Sequence, residues 1–165
     1  MKVAVAQITS VLGDIEKNIE KHIEYCDRAI SKKADLIVFP ELSLTGYSVK
    51  DLNFMISVEL NKTKLLDRLK TKSKKISIIC GLVEEDENYA IYNSGIFISD
   101  GDVKFVHRKV YPPTYGLFEE FRHSLRRGIA CQVPIFGFHA QQHIPEASSH
   151  NVYLMPVLFD GLHYL

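Results

Sequence analysis

Apolar positions along this chain fall into short blocks whose spacing changes from one block to the next. Val3, Val5 and Ile8 sit in a β-forming run over 2–8, which predicts a first strand. Gly13 and Asp14 break that run, and Asp14 can cap a helix. The apolar positions then recur at Ile15, Ile19, Ile23, Cys26 and Ile30, one face of an amphipathic helix of about five turns. Its other face carries Glu16, Lys17, Glu20, Lys21, Glu24 and Arg28, with an acid-to-base pair at i, i+4 in Glu24 and Arg28. Cys26 is expected in the core and His22 half-exposed without a role. Leu36-Ile37-Val38-Phe39 reads as a strand buried on both faces, so this part of the chain predicts a β-α-β unit with a parallel pair. A mostly helical stretch is predicted over about 52–74, followed by a buried strand over 76–83. Runs over 89–98 and 103–106 flank Asp100-Gly101, a strong signal for a tight hairpin.

The first block with chemistry in it is Asp35-Leu36-Ile37-Val38-Phe39-Pro40-Glu41. Pro40 ends the strand because it has no N–H for a neighbouring strand. A carboxylate then stands at the strand end, where ligands bind in α/β sheets. Its burial costs several kcal/mol unless it is paired or protonated. Glu41 is therefore either a paired structural anion or a catalytic carboxylate. The loop from Leu42 to Tyr47 has the glycine and small polar residues of a tight turn. Further on, the stretch from His107 to Glu120 holds two prolines, a glycine and adjacent carboxylates, and can keep side chains at fixed places. Without chemistry, Lys109 and Glu120 would be a surface ion pair.

Composition narrows the choice of partners. The 165 residues are 46% hydrophobic and 24% charged, enough for one domain with a core. The formal net charge is zero, which implies neither a nucleic-acid nor an anionic-membrane partner. Lys62, Lys64, Lys70, Lys72, Lys74 and Lys75 read as a solvated helix face, without the aromatic interleaving of a nucleic-acid site. No apolar run approaches the roughly 20 residues needed to cross a bilayer, and the N-terminus reads as a strand instead of a signal peptide. Cys26, Cys80 and Cys131 have neither metal nor disulfide spacing, which suits a reducing cytoplasm. Cys80 lies among apolar neighbours, where a thiolate is disfavoured. No cofactor is implied.

Several segments together resemble the nitrilase superfamily of carbon–nitrogen hydrolases. They are Ala6-Gln7 on the first strand, Phe39-Pro40-Glu41 with Leu44-Thr45-Gly46-Tyr47, Cys80-Gly81-Leu82-Val83-Glu84, Tyr92-Asn93-Ser94, and His107-Arg108-Lys109 with Thr114-Tyr115-Gly116. They occur in the family's order over about residues 1–122. The resemblance implies an α-β-β-α sandwich and a Glu-Lys-Cys triad acting on a small amide or nitrile, in a protein that can form homo-oligomers. It assigns Glu41 as general base, Lys109 as the catalytic lysine and Glu120 as the auxiliary glutamate beside it. The chemistry is coherent: the base generates a thiolate, the ammonium stabilises the oxyanion, and a thioester forms and is hydrolysed.

The chain departs from that pattern after about Arg122. The family's cysteine should follow a buried strand some tens of residues after the lysine and precede an acidic residue. The only cysteine after Lys109 is Cys131; it comes early and precedes Gln132. All 14 lysines lie at or before Lys109, whereas residues 123–165 hold four charged residues and five of the seven histidines. A domain of one origin rarely changes its usage so sharply. The expected organisation is thus a cut-short hydrolase domain over 1–122 and a divergent tail over 123–165, out of frame or unrelated. His139 and His143 share an i, i+4 spacing but lack the glutamate and third ligand of a zinc site, so no metal is implied. Two functions follow: an amide or nitrile hydrolase impaired by loss of its cysteine, or a non-catalytic remnant that associates through exposed sheet. Such a cut leaves sheet edges that the tail either patches or leaves open to other chains.

Overall fold

A computed structural model describes residues 1–47, 53–109 and 151–156. Strand β1 (Lys2–Gln7) leads into helix α1 (Ile15–Ser31), and the chain returns as β2 (Leu36–Val38) parallel to β1. Short helices α2 (Asn53–Ile56) and α3 (Asp67–Ser73) precede β3 (Ser77–Glu85), β4 (Ile91–Ser99) and β5 (Asp102–Arg108). A last strand, β6 (Asn151–Pro156), joins from the far end of the sequence. Together they make one mixed sheet in the order β5-β4-β3-β2-β1-β6. β1, β2 and β3 run parallel; the other neighbours are antiparallel.

Local chemistry explains the boundaries. Asp14 caps α1, its side chain accepting from the Lys17 amide at 3.1 Å. A residue in the left-handed region, Lys33 at φ 57°, follows the helix. Asp100 and Gly101 both have positive φ, 52° and 83°, as a hairpin turn matching the strand twist requires. The mostly helical stretch expected over about 52–74 is two short helices with an interruption between them. Val58 pairs instead with Glu84 in a parallel bridge, its amide donating to the Val83 carbonyl, because backbone at the sheet edge there has a better partner than a helical turn.

One face of the sheet is covered by α1 and α3. Ile19, Tyr25, Cys26 and Ala29 from α1 and Leu69 from α3 pack on Ala4, Ile37, Ile78, Cys80, Ile96 and Ile98. Two lysines of the lysine-rich segment are paired, Lys62 with Glu59 at 2.6 Å and Lys72 with Asp27 at 2.7 Å. On the other edge, β6 pairs antiparallel along β1 from Lys2↔Pro156 to Gln7↔Asn151, so a segment of the tail caps the edge that β1 would otherwise present. Within the expected sandwich, the described residues supply one sheet and one helix layer.

Candidate active site

Glu41 is placed by contacts on both sides of the turn that follows β2. On the sheet side, the turn lies directly against β3. A Cβ built on Gly81 would come 2.4 Å from the Leu42 nitrogen, so only glycine lets the two backbones approach. The Phe39 amide donates to the Ile79 carbonyl at 2.9 Å and the Leu44 amide to Gly81 at 2.9 Å. Leu42 takes a left-handed φ of 50° between them and is buried.

On the helix side, α1 holds the same turn. The Asn18 side chain donates to the carbonyls of Val11 and Leu44 at 2.7 and 2.9 Å. His22 is fully buried, contrary to the half-exposed position its helix face suggested, because the turn folds back over α1. Its Nδ1 donates to the Asn18 carbonyl at 2.6 Å, so Nε2 accepts from the Ser43 hydroxyl at 3.0 Å. Phe39 lies against its ring at 4.0 Å between centroids. Burial lowers the imidazole pKa to about 4, opposed by the Asn18 hydrogen bond. His22 is thus a neutral strut under the Glu41 turn.

Glu41 reaches across the sheet to the hairpin. Its Oε1 accepts from Lys109 Nζ at 2.8 Å and from Asn93 Nδ2 at 2.7 Å. The pair is not deeply buried: the side chains are 47% and 30% exposed, so the ion pair contributes less than about 1 kcal/mol to stability. Asn93 binds twice, because its carbonyl also accepts the Lys109 amide at 2.8 Å. Sequence reasoning passed over it as a site residue. The available signal was the hairpin turn, but it misleads by one residue. Ser99↔Asp102 and Ile98↔Val103 follow the turn; then a bulge at Lys104 shifts the register to Phe97↔Phe105 and Ser94↔Arg108. Counted without the bulge, Lys109 would oppose Tyr92 on the other face.

Lys109 pairs with Glu41, while the expected Lys109–Glu120 pairing falls on Glu120, which lies outside the described residues, as do Cys131, His139 and His143. Cys26 and Cys80 are buried, and burial raises both thiols, Cys26 to about 12. Neither supplies a thiolate. Among the described residues no group of three metal-capable side chains comes together, and no helix is long and apolar enough to cross a membrane.

Known proteins with the same pattern are enzymes of several kinds. A glutamine-dependent NAD(+) synthetase of Thermotoga maritima is 35% identical over 125 residues, covering 74% of this chain and 21% of the relative. An arylacetonitrilase of Hypocrea virens is 32% identical over 127 residues, covering 70% and 38%. The structure of the glutamine-dependent NAD+ synthetase from Acinetobacter baumannii in complex with adenosine diphosphate superposes with a TM-score of 0.69 at 38% identity, covering 78% of this chain and 24% of that one. An N-terminal amidase with Gln-Val peptide gives 0.58 at 30%, covering 67% and 28%. The chain thus spans about a fifth of the length of the synthetases it matches. The profile of the carbon-nitrogen hydrolases matches residues 2–136, and with the mixed sheet and the order of motifs this means that the chain belongs to the carbon-nitrogen hydrolase family.

Proposed function

We propose that this chain carries the general base and oxyanion-binding lysine of a hydrolase acting on a side-chain carboxamide such as glutamine, and that it is catalytically incomplete as written. The observation that carries this reading is the Glu41–Lys109 contact, bridged by Asn93, in the turn that follows β2. In the full reaction a thiol loses its proton to Glu41 and attacks the amide carbon. Lys109 stabilises the oxyanion, ammonia leaves, and water hydrolyses the thioester. Glu120 is proposed to hold the lysine charged.

An amide is preferred to a nitrile because the relatives' names point that way: synthetases described as glutamine-dependent, and an amidase with Gln-Val, Asn-Glu and Gln-Gly peptides. The missing part is the nucleophile. Cys26 and Cys80 are buried away from water, and Cys131 precedes glutamine in a stretch of altered composition. The change of composition after about Arg122 makes a non-catalytic chain the second reading, although the family match runs on to residue 136. Zero net charge and three cysteines without disulfide spacing fit a cytoplasmic protein with a small-molecule ligand and neither nucleic acid nor membrane as partner; association into homo-oligomers belongs to the same proposal.

The test is NMR titration of the full chain with glutamine, glutamate and a simple nitrile, alongside an ammonia assay. Glutamine is expected to move the Asn93 side-chain amide and Lys109 signals, to lose that effect in Glu41→Gln, and to release no ammonia. Absence of any response to glutamine overturns the substrate class. Ammonia release abolished by Cys131→Ser overturns the incompleteness.

A further inference from the structure

The face of the sheet opposite the Glu41–Lys109 contact holds a second polar cluster, which the catalytic reading does not use. Glu84, on β3, is 5% exposed. Its Oε1 accepts from Arg108 Nη2 at 2.7 Å, and its Oε2 accepts from Arg108 Nε at 3.0 Å and from the Ser94 hydroxyl at 2.6 Å. Arg108 also lies over the Tyr92 ring, 4.2 Å from its centroid, and 4.0 Å from Asp86. Asp86 accepts from the Tyr92 hydroxyl and from the amides of Asn88 and Ala90, which closes the β3–β4 turn. One guanidinium is therefore tied to three consecutive parts of the hairpin. Such a two-pronged fork fits a carboxylate in one orientation only.

Arg108 is the residue immediately before Lys109, and β5, an edge strand among the described residues, carries a bulge at Lys104. A one-residue slip in an edge strand turns every following side chain to the other face. If the bulge were lost, Arg108 would oppose Asn93 and Lys109 would oppose Tyr92. The buried Glu84 carboxylate would then face His107, opposite Ser94, in place of the fork. A buried carboxylate without its partner is strongly disfavoured, so the observed register is selected.

We propose that the Glu84–Arg108 clamp is a positioning device for Lys109: by holding Arg108 on the helix-covered face, it locks the register that presents Lys109 to Glu41 on the other. The inference rests on the reading of Lys109 as the oxyanion-binding group. Arg108 and Glu84 touch no reacting atom; they act through the strand.

The test is the 15Nζ NMR signal of Lys109 in the full chain, assigned with Lys109→Arg, and its response to Glu41→Gln. That substitution is expected to move the signal in the otherwise native chain. With Arg108→Gln also present, the response should shrink by about threefold or more, the mark of coupled sites. Arg108→Lys, which keeps the charge but not the fork, should restore only part of it. Lys72→Gln, which breaks the separate Lys72–Asp27 pair, should leave it whole. If Arg108→Gln lowers thermal stability but the Lys109 response is undiminished, the clamp is merely structural and the inference is overturned. If Glu41→Gln leaves the Lys109 signal unmoved even in the native background, it is the Glu41–Lys109 reading itself that fails. Should Arg108→Gln not fold, Glu84→Gln, which keeps an acceptor for Ser94, carries the same measurement and the same two outcomes decide.

Discussion

On the helix-covered face of the sheet, Ile37, Ile78, Leu82 and Ile98 have no exposed surface; on the opposite face Phe105 is 40% exposed and Glu41 meets Lys109 within reach of water. The same strands supply both faces, since successive side chains point to opposite sides. The covered face carries stability through burial. The open face carries a carboxylate, an amide and an ammonium whose mutual attraction adds little to stability. The clamp at Glu84 is the exception that joins the two, a charged group on the covered side whose effect is read on the open side.

The comparison is broken most severely at the covered face. Ile78→Ala is expected to destabilise the chain by about 2–5 kcal/mol, whereas Phe105→Ala should stay within about 1 kcal/mol. Denaturant titration of both variants measures the contrast, and equal losses would refute it.

Acid comes next. His22 has its pKa lowered by burial, so the unfolded state binds the extra proton first. Stability is fully present above the unfolded value near 6.5 and falls as pH drops through the window to about 4. The loss over that window is on the order of 3 kcal/mol. His22→Gln should flatten the slope of stability against pH between those values; an unchanged slope would assign it to other groups.

A smaller effect on stability, but a direct one on the site, is expected at Gly81. Gly81→Ala forces the Glu41–Leu42 backbone away and should cost about 1–3 kcal/mol by overpacking. The Asn93 side-chain amide signal should shift with it, as Glu41 withdraws. Smallest for stability is Lys109→Met, expected within about 1 kcal/mol by thermal melting because the pair is half-exposed, while the glutamine response described above disappears.

Much of the architecture was legible before any coordinates, because it rests on local chemistry. The apolar run stopped by Pro40 forms a short strand before Glu41, although only Ile37 of β2 is fully buried and Leu36 and Val38 on the other face are half-buried, short of the burial on both faces that the run suggested. Asp14 caps α1 through a hydrogen bond three residues long, and Asp100-Gly101 accepts positive φ at both positions. The motifs that carry Glu41 and Lys109 stand in the chain in family order, and their meeting could be expected from them.

What tertiary structure alone decided is how they meet. The helical pattern over 52–74 gave way where Val58 found a strand to pair with. His22 was buried by a turn arriving from about twenty residues further along, which no helical wheel registers. Gly81 matters because another backbone lies on it. A single extra residue, Lys104, turned Lys109 from the face of Tyr92 to the face of Asn93. Local sequence sets the strands and turns through short-range sterics and hydrogen bonds. The face a side chain occupies depends on register, and register is settled only when the partners on the helix-covered face, here Ile96 against Val106 and Glu84 against Arg108, are satisfied at once.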